Sequence, residues 1–214
     1  MENSHYFKYG EQALSHLKSK DKQLCEIIDK VGMIKRPVIP DIYQALVNSV
    51  IGQQISTKAH KTIWKRLKDS IDMITPVSIS QLTDEELQAI GLSFKKVGYI
   101  KNITNKVITG ELDLKRLQQM NDEDVCNELV KLKGIGQWTA EMIMIFSMQR
   151  PNILSYGDLA ILRGMRMLYH HRKITEKLFN KYRRRYTPYA SVASLYLWKI
   201  ASGEFPGMKD YGKR

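Results

Sequence analysis

The fold is decided by the stretch Leu132-Lys133-Gly134-Ile135-Gly136-Gln137-Trp138-Thr139-Ala140. Two glycines bracket one aliphatic residue, and apolar residues recur at helical spacing on both sides, so the stretch predicts a helix-hairpin-helix. Because glycine allows positive φ and close backbone approach, the amides of Gly134, Gly136 and the next helical turn can face a phosphate. Ile135 is expected to pack inward between the two helices.

The same turn is rich in carbonyl groups. The backbone oxygens of Val130, Leu132 and Ile135 could hold a Na⁺ or K⁺ ion, which would neutralise a bound phosphate further. An ordinary tight turn between helices is the alternative, because paired glycines are common there. The charge favours phosphate binding, since 34 Lys and Arg residues face 22 Asp and Glu residues, a formal net charge of +12. That excess indicates a polyanionic partner.

The rest of the chain is predicted to be helical. Over the 214 residues, apolar side chains recur at three- and four-residue spacing, and no stretch shows sustained period-two alternation. We therefore expect an all-α fold, a compact orthogonal bundle of about ten short helices. Ser56, Asn121 and the pair Thr83 and Glu86 are predicted helix N-caps, and Gly52 is predicted to end a helix.

Cysteine usage and hydropathy exclude several classes. Cys25 and Cys126 have no further Cys or His at ligand spacing, which excludes a four-cysteine iron–sulfur cluster or a structural zinc site. The apolar runs are short, so we expect neither a membrane span nor secretion. A reducing compartment is the natural expectation.

A second signal follows the hairpin, in Tyr156-Gly157-Asp158-Leu159 at the start of an apolar-faced helix. Aspartate is among the best N-cap residues, so Asp158 could be a cap and nothing more. A carboxylate there could instead face a cleft, where it would stabilise positive charge on a sugar or orient a water molecule. Position alone does not choose between these roles.

Together the two signals resemble the helix-hairpin-helix (HhH-GPD) DNA glycosylase superfamily, and within it the 3-methyladenine DNA glycosylase II (AlkA/Mag-like) group. The resemblance covers roughly residues 21–202. Further matching segments are residues 46–55, Gly91-Leu92-Ser93, Lys95-Lys96, Tyr99-Ile100-Lys101, Pro188-Tyr189 and Leu195-Tyr196-Leu197-Trp198. It implies an N-terminal extension (1–20) and a catalytic core (21–214) of two helical subdomains flanking a cleft. The sequence departs from the classical bacterial protein, which has a large N-terminal β-rich domain where only about 20 residues precede the matched region here.

The resemblance also implies residue roles. Asp158 would be the catalytic carboxylate, and the turn that contains Gln53 and Gln54 would enter the minor groove and fill the gap left by a flipped nucleotide. Lys133 is expected to touch the DNA backbone. The residues implied to supply amides to a phosphate are Gly134, Gly136 and Thr139.

Three residues are implied in the base pocket. Trp138 and Tyr189 would stack on an electron-poor alkylated base, although each aromatic could equally belong to the core. Met142 stands where the bacterial protein has a pocket tyrosine. Relatives that also cleave the strand carry a lysine at position 138 as a Schiff-base nucleophile, so Trp138 predicts a monofunctional hydrolase.

We therefore expect a monofunctional glycosylase that releases alkylated purines from duplex DNA, acting as a monomer and without a cofactor beyond the hairpin cation. Two alternatives remain: the same scaffold acting on oxidised or deaminated purines, and a non-catalytic DNA-binding module in which Asp158 is only a cap. The basic stretch 163–185, opposed in sequence only by Glu176, is either a solvated face or a set of phosphate contacts.

Overall fold

Thirteen helices form nearly all the regular structure in the computed structural model, which describes residues 5–212. Among these residues the strands are β1 (His5–Tyr6) and β2 (Pro37–Val38), which pair antiparallel with His5 opposite Val38. The all-α prediction is therefore confirmed, with thirteen described helices where about ten were expected. The helices are α1 (Glu11–Lys20), α2 (Lys22–Val31), α3 (Ile42–Gly52), α4 (Thr57–Ser70), α5 (Pro76–Gln81), α6 (Asp84–Ala89), α7 (Phe94–Ile108), α8 (Leu114–Gln119), α9 (Asp122–Val130), α10 (Gln137–Phe146), α11 (Leu159–Tyr169), α12 (Glu176–Tyr186) and α13 (Ala190–Ala201).

The predicted helix ends are confirmed. The Ser56 side chain accepts the N–H of the third helical residue of α4, and Asn121 does the same for α9. Thr83 and Glu86 form both hydrogen bonds of a capping box. Helix α3 ends at Gly52. No helix within residues 5–212 is both long and apolar enough to cross a membrane.

The chain divides into two compact units. The first combines Met1–Val38 with Gln149–Arg214, and the second is the continuous segment Ile39–Met148. In the second unit, α3 packs against α4, α7 and α10, while α9 packs on α10 and both α5 and α6 pack on α7. This central position explains why the buried face of α3 is wholly apolar over Leu46, Val47, Val50 and Ile51.

In the first unit, α11 and α13 make the most extensive helix pair. Their backbones approach closely at Gly164, where an added Cβ would lie 2.3 Å from the carbonyl oxygen of Leu197 and 2.9 Å from its carbonyl carbon. Only glycine leaves room for that approach. Since Asp158 directly precedes α11, this contact also fixes the helix that carries the carboxylate.

Buried carboxylates neutralise part of the basic stretch, which corrects the sequence expectation that Glu176 alone opposes it. Asp21 is 3% exposed; it caps α2 and accepts hydrogen bonds from the Tyr169 hydroxyl (2.7 Å) and the Arg185 guanidinium (3.1 Å). Asp210 accepts two hydrogen bonds of 2.7 Å from Arg166. Arg166 and Arg185 are therefore paired with carboxylates of the first unit.

The Arg166–Asp210 pair predicts a pH-dependent contribution to stability. The hydrogen bonds from Arg166 lower the pKa of the Asp210 carboxyl from 3.8 to about 2, and its side chain is only 5% exposed. A depressed carboxyl pKa stabilises the fold above pH 3.8, and this contribution is lost as the pH falls toward 2. We expect Asp210→Asn to lower the free energy of unfolding by about 2 kcal/mol at pH 7, measured by urea denaturation.

Asp69→Asn is the matched control, because Asp69 pairs with Lys65 through side chains that are 58% and 74% exposed. Such a surface pair contributes about 0–1 kcal/mol. At pH 3, the difference in free energy of unfolding between wild type and Asp210→Asn should be about half of its value at pH 7. An effect of Asp210→Asn that is the same at pH 7 and pH 3, or no larger than the control, would contradict the assignment.

Candidate nucleic-acid interface and catalytic carboxylate

The predicted hairpin joins α9 to α10. Ile135 is 4% exposed and its N–H donates to the Leu132 carbonyl (3.0 Å), so its predicted inward packing is confirmed. Gly136 is the N-cap of α10 and supplies no capping side chain, which leaves the positive end of the helix dipole available to an anion. Lys133 and Gly136 are exposed, whereas Thr139 is 8% exposed, so only its backbone amide could serve a phosphate.

Gly134 is required by both conformation and space. Its φ is +88°, in the region that favours glycine, and an added Cβ would lie 2.3–2.8 Å from ring atoms of Tyr99. The Tyr99 ring from α7 therefore packs directly against the hairpin at Gly134. The Lys95 ammonium is 5.8 Å from the centre of the same ring.

We expect Gly134→Ala to destabilise the protein by about 1–2 kcal/mol from the φ penalty, with displacement of the Tyr99 ring and weaker DNA binding. The matched control is Gly136→Ala, because Gly136 has φ −91° and no atom within 4 Å of an added Cβ. Thermal unfolding and duplex binding of both variants check this. Equal melting temperatures for the two variants would refute the requirement for Gly134.

A cavity of about 700 Å³ adjoins the hairpin within the second unit. It brings together six of the residues predicted for DNA or base contact: Gln53, Gln54, Gly134, Trp138, Thr139 and Met142. The Trp138 side chain is 48% exposed, so it presents an aromatic surface instead of filling the core. Lys133 and Gly136 do not line the cavity.

The cavity is also lined by residues that the sequence analysis did not assign to DNA or base contact, although all but His60 lie in segments that match the family. They are Asn48, Ser49, Gly52, His60, Ser93, Lys95, Lys96 and Tyr99. Lys96 and Tyr99 are three residues apart, a spacing that predicts a shared helix face. The groups that this face contacts are distant in sequence, so the pattern could not have identified them.

The His60 ring packs against Gly52, the last residue of α3. An added Cβ on Gly52 would lie 3.1–3.3 Å from three atoms of the His60 ring. The Nε2 atom of His60 is buried and has no hydrogen-bond partner among the described residues. Burial lowers the pKa of His60 and a hydrogen bond to the Asn48 backbone opposes this shift, so the net effect favours the neutral imidazole.

Asp158 lies in the first unit, as the N-cap of α11. One carboxylate oxygen, Oδ1, accepts the N–H groups of Ala160 and Ile161, both at 2.9 Å. The residue is 6% exposed, whereas its neighbours Tyr156 and Leu159 are 41% and 80% exposed. Leu159 is the first residue of α11, and its side chain is exposed.

Tyr189 also lies in the first unit, directly before α13. Its ring packs edge-on against His16 of α1, with 5.3 Å between ring centroids. The His16 Nε2 atom is 2.8 Å from the Thr187 carbonyl oxygen. Residues 11–20 thus form a helix that contacts the predicted pocket tyrosine.

The oxygen donors predicted for a monovalent cation lie where α9 ends. Val130 is the last residue of α9, and the Leu132 carbonyl accepts the Ile135 N–H. Carbonyls at a helix C-terminus carry the negative end of the dipole, and backbone carbonyls are ligands that Na⁺ and K⁺ accept. The donor set of Val130, Leu132 and Ile135 therefore fits such an ion, and the site stays a prediction.

An all-α fold with a glycine-lined hairpin and an adjoining cavity defines a helix-hairpin-helix protein. Consistent with this, the family model "HhH-GPD superfamily base excision DNA repair protein" matches residues 47–188. The chain belongs to the HhH-GPD superfamily of base excision DNA repair proteins, and the resemblance seen in its motifs is confirmed.

One relative and two solved structures illustrate the similarity. DNA-3-methyladenine glycosylase 1 of Schizosaccharomyces pombe is 30% identical over 94% of this chain and 88% of its own length. The crystal structure of a Bacillus halodurans DNA-3-methyladenine glycosidase has a TM-score of 0.84 and 33% identity, covering 96% of this chain and 98% of that one. A structure of the S. pombe 3-methyladenine DNA glycosylase in complex with abasic DNA has a TM-score of 0.74 and 28% identity. The match covers 88% of this chain and 95% of that one.

Proposed function

We propose that this protein is a monofunctional DNA glycosylase that hydrolyses the N-glycosidic bond of alkylated purines, of the 3-methyladenine type, in duplex DNA. The observation that carries the proposal is the cavity of the second unit, which is lined by hairpin, turn and aromatic residues together. The relative and the two solved structures described above are named as 3-methyladenine glycosylases or glycosidases, which supports the same substrate class.

The second unit binds the DNA backbone in this proposal. Amides of Gly134, Gly136 and Thr139 at the start of α10 take a phosphate, and Lys133 adds a positive charge beside them. A monovalent cation held by the hairpin carbonyls would add further positive charge there. This binding energy offsets the few kcal/mol, roughly, that are needed to extrude a nucleotide from the stack.

The extruded base is recognised by stacking. An alkylated purine carries positive charge, so it prefers an aromatic face, and Trp138 offers one at the cavity. We assign Tyr189 as a second stacking surface and Met142 as an adaptable apolar wall. Trp138 replaces the lysine that a strand-cleaving relative would use, so no Schiff base forms and the strand stays intact.

Asp158 performs the chemical step. The C1′–N bond breaks with both electrons leaving on the alkylated base, whose positive charge is thereby neutralised, so no acid is needed at the leaving group. The Asp158 carboxylate stabilises the oxocarbenium-like sugar and orients a water molecule. The water oxygen bonds to C1′ and its proton passes to solvent. The two N–H groups that hold Oδ1 fix the carboxylate for this role.

Single-turnover base release from four duplexes tests the proposal. Each duplex carries one 3-methyladenine, 7-methylguanine, hypoxanthine or 8-oxoguanine. We expect release of the methylated purines, strand cleavage only after added alkali, and no borohydride-trapped complex. We further propose that the protein acts as a monomer in the cytoplasm or nucleus, and sedimentation of the protein–duplex complex checks its stoichiometry.

The other outcomes separate the two alternatives. Preferential release of hypoxanthine or 8-oxoguanine would assign the scaffold to deaminated or oxidised purines. Binding without release from any duplex would leave a DNA-binding module in which Asp158 is a cap.

A further inference from the structure

The turn after α3 is held at its base by Lys96. The Lys96 ammonium donates to the carbonyls of Ile51 and Gln53, both at 2.7 Å. These carbonyls close the C-terminal end of α3, where a lysine is favoured by the helix dipole. Burial disfavours the charged ammonium and lowers the pKa of Lys96, and the hydrogen bonds to the two carbonyls offset part of this cost.

The side chain of Gln53 is directed to the hairpin. Its Nε2 donates to the carbonyl oxygen of Gly134 at 2.7 Å, across 81 residues of sequence. Gln53 is half-buried. Its neighbour Gln54 is exposed, has a φ of +55° and makes no side-chain hydrogen bond to any other described residue.

One helix supports both ends of this bond. Lys96 and Tyr99 lie three residues apart on α7, so they share a face. Lys96 contacts the turn, and the Tyr99 ring lies beneath Gly134. The turn and the hairpin are therefore fixed relative to each other by α7 and by the Gln53–Gly134 hydrogen bond.

We propose that Gln53 is a positioning residue that sets the distance between the turn and the phosphate-binding hairpin, and that Gln54 alone enters the DNA. The inference rests on the proposed function, because it divides the roles of two residues of the same turn. An amide committed to the Gly134 carbonyl cannot also fill the gap left by an extruded nucleotide. The exposed Gln54 side chain is free to do so.

Methionine substitutions separate the two roles, because methionine matches glutamine in length but cannot donate a hydrogen bond. If Gln53 positions the turn, Gln53→Met should lose about as much activity as Gln53→Ala. If Gln54 fills the gap, Gln54→Met should keep most of the activity that Gln54→Ala loses. Gln88→Ala, on the exposed surface of α6, is the control.

Three readouts are needed for each variant: affinity for undamaged duplex, fluorescence of a 2-aminopurine next to the lesion, and the single-turnover rate with saturating enzyme. For Gln53→Met we expect the affinity for undamaged duplex to stay within about twofold of wild type. The fluorescence change and the rate should each fall about tenfold, which corresponds to the loss of one hydrogen bond. Its melting temperature should stay within about 5 °C of wild type. A residue with a structural role alone would not separate these readouts.

Two results would overturn the inference. In the first, Gln53→Met keeps the fluorescence change and the rate of wild type. In the second, Gln53→Met loses affinity for undamaged duplex by the same factor as it loses base release. If wild-type protein unstacks the probe but releases no base, the proposed reaction is wrong. The fluorescence comparison of Gln53→Met with Gln54→Met then still decides the inference, because unstacking does not require bond cleavage.

Discussion

Asp158→Asn should lower the single-turnover rate of base release by about 100- to 10,000-fold, the range for loss of a positioned acid–base group. The fold should survive, because asparagine caps a helix as well as aspartate and its side-chain oxygen can accept the same two N–H groups. The substitution removes the negative charge and replaces one carboxylate oxygen by an amide NH2 group. We expect duplex affinity within about threefold of wild type, which corresponds to less than 1 kcal/mol.

Asp113→Asn is the matched control for this substitution. Asp113 caps α8 with the same geometry, since its Oδ1 accepts the N–H groups of Lys115 and Arg116 at 2.9 and 3.0 Å. Its replacement removes a cap charge without touching base release. If Asp158→Asn kept the wild-type rate, or if Asp113→Asn lost as much, Asp158 would be a structural cap.

Among the described glycines, Gly164→Ala should produce the largest loss of stability. The new Cβ would overlap the backbone of α13 at Leu197, and a backbone cannot rotate away as a side chain can. We expect a loss of about 3 kcal/mol, the upper end for overpacking. That corresponds to a fall in melting temperature of about 6–12 °C. Base release should fall as well, because Asp158 begins the displaced helix.

Gly98→Ala provides the opposite result as a control. Gly98 lies inside α7 with no atom within 4 Å of an added Cβ, so alanine should raise the free energy of unfolding by about 0.5–1 kcal/mol. Urea denaturation of both variants makes the comparison. A stabilised or neutral Gly164→Ala would show that the two helices tolerate separation.

The basic stretch shows how tertiary structure changes the interpretation of charge. In sequence only Glu176 opposes it, yet Arg185 is bound to Asp21 and Arg166 to Asp210. Asp21 lies 164 residues before Arg185, so no local pattern could have paired them. The arginines that remain available for phosphate are fewer than the net charge suggests.

The amino-acid sequence by itself determined the helical class, the hairpin and the helix caps, because each depends on residues no more than a few positions apart. It also marked Asp158 and Gln53–Gln54 as candidates, by motif and resemblance. Only the tertiary structure distinguished Gln53 from Gln54, since the Gly134 carbonyl that binds Gln53 is 81 residues away. The same holds for Gly164, whose need for glycine comes from the backbone of α13. Contacts between distant segments depend on how helices pack, and helical periodicity specifies which face is buried but not what lies against it.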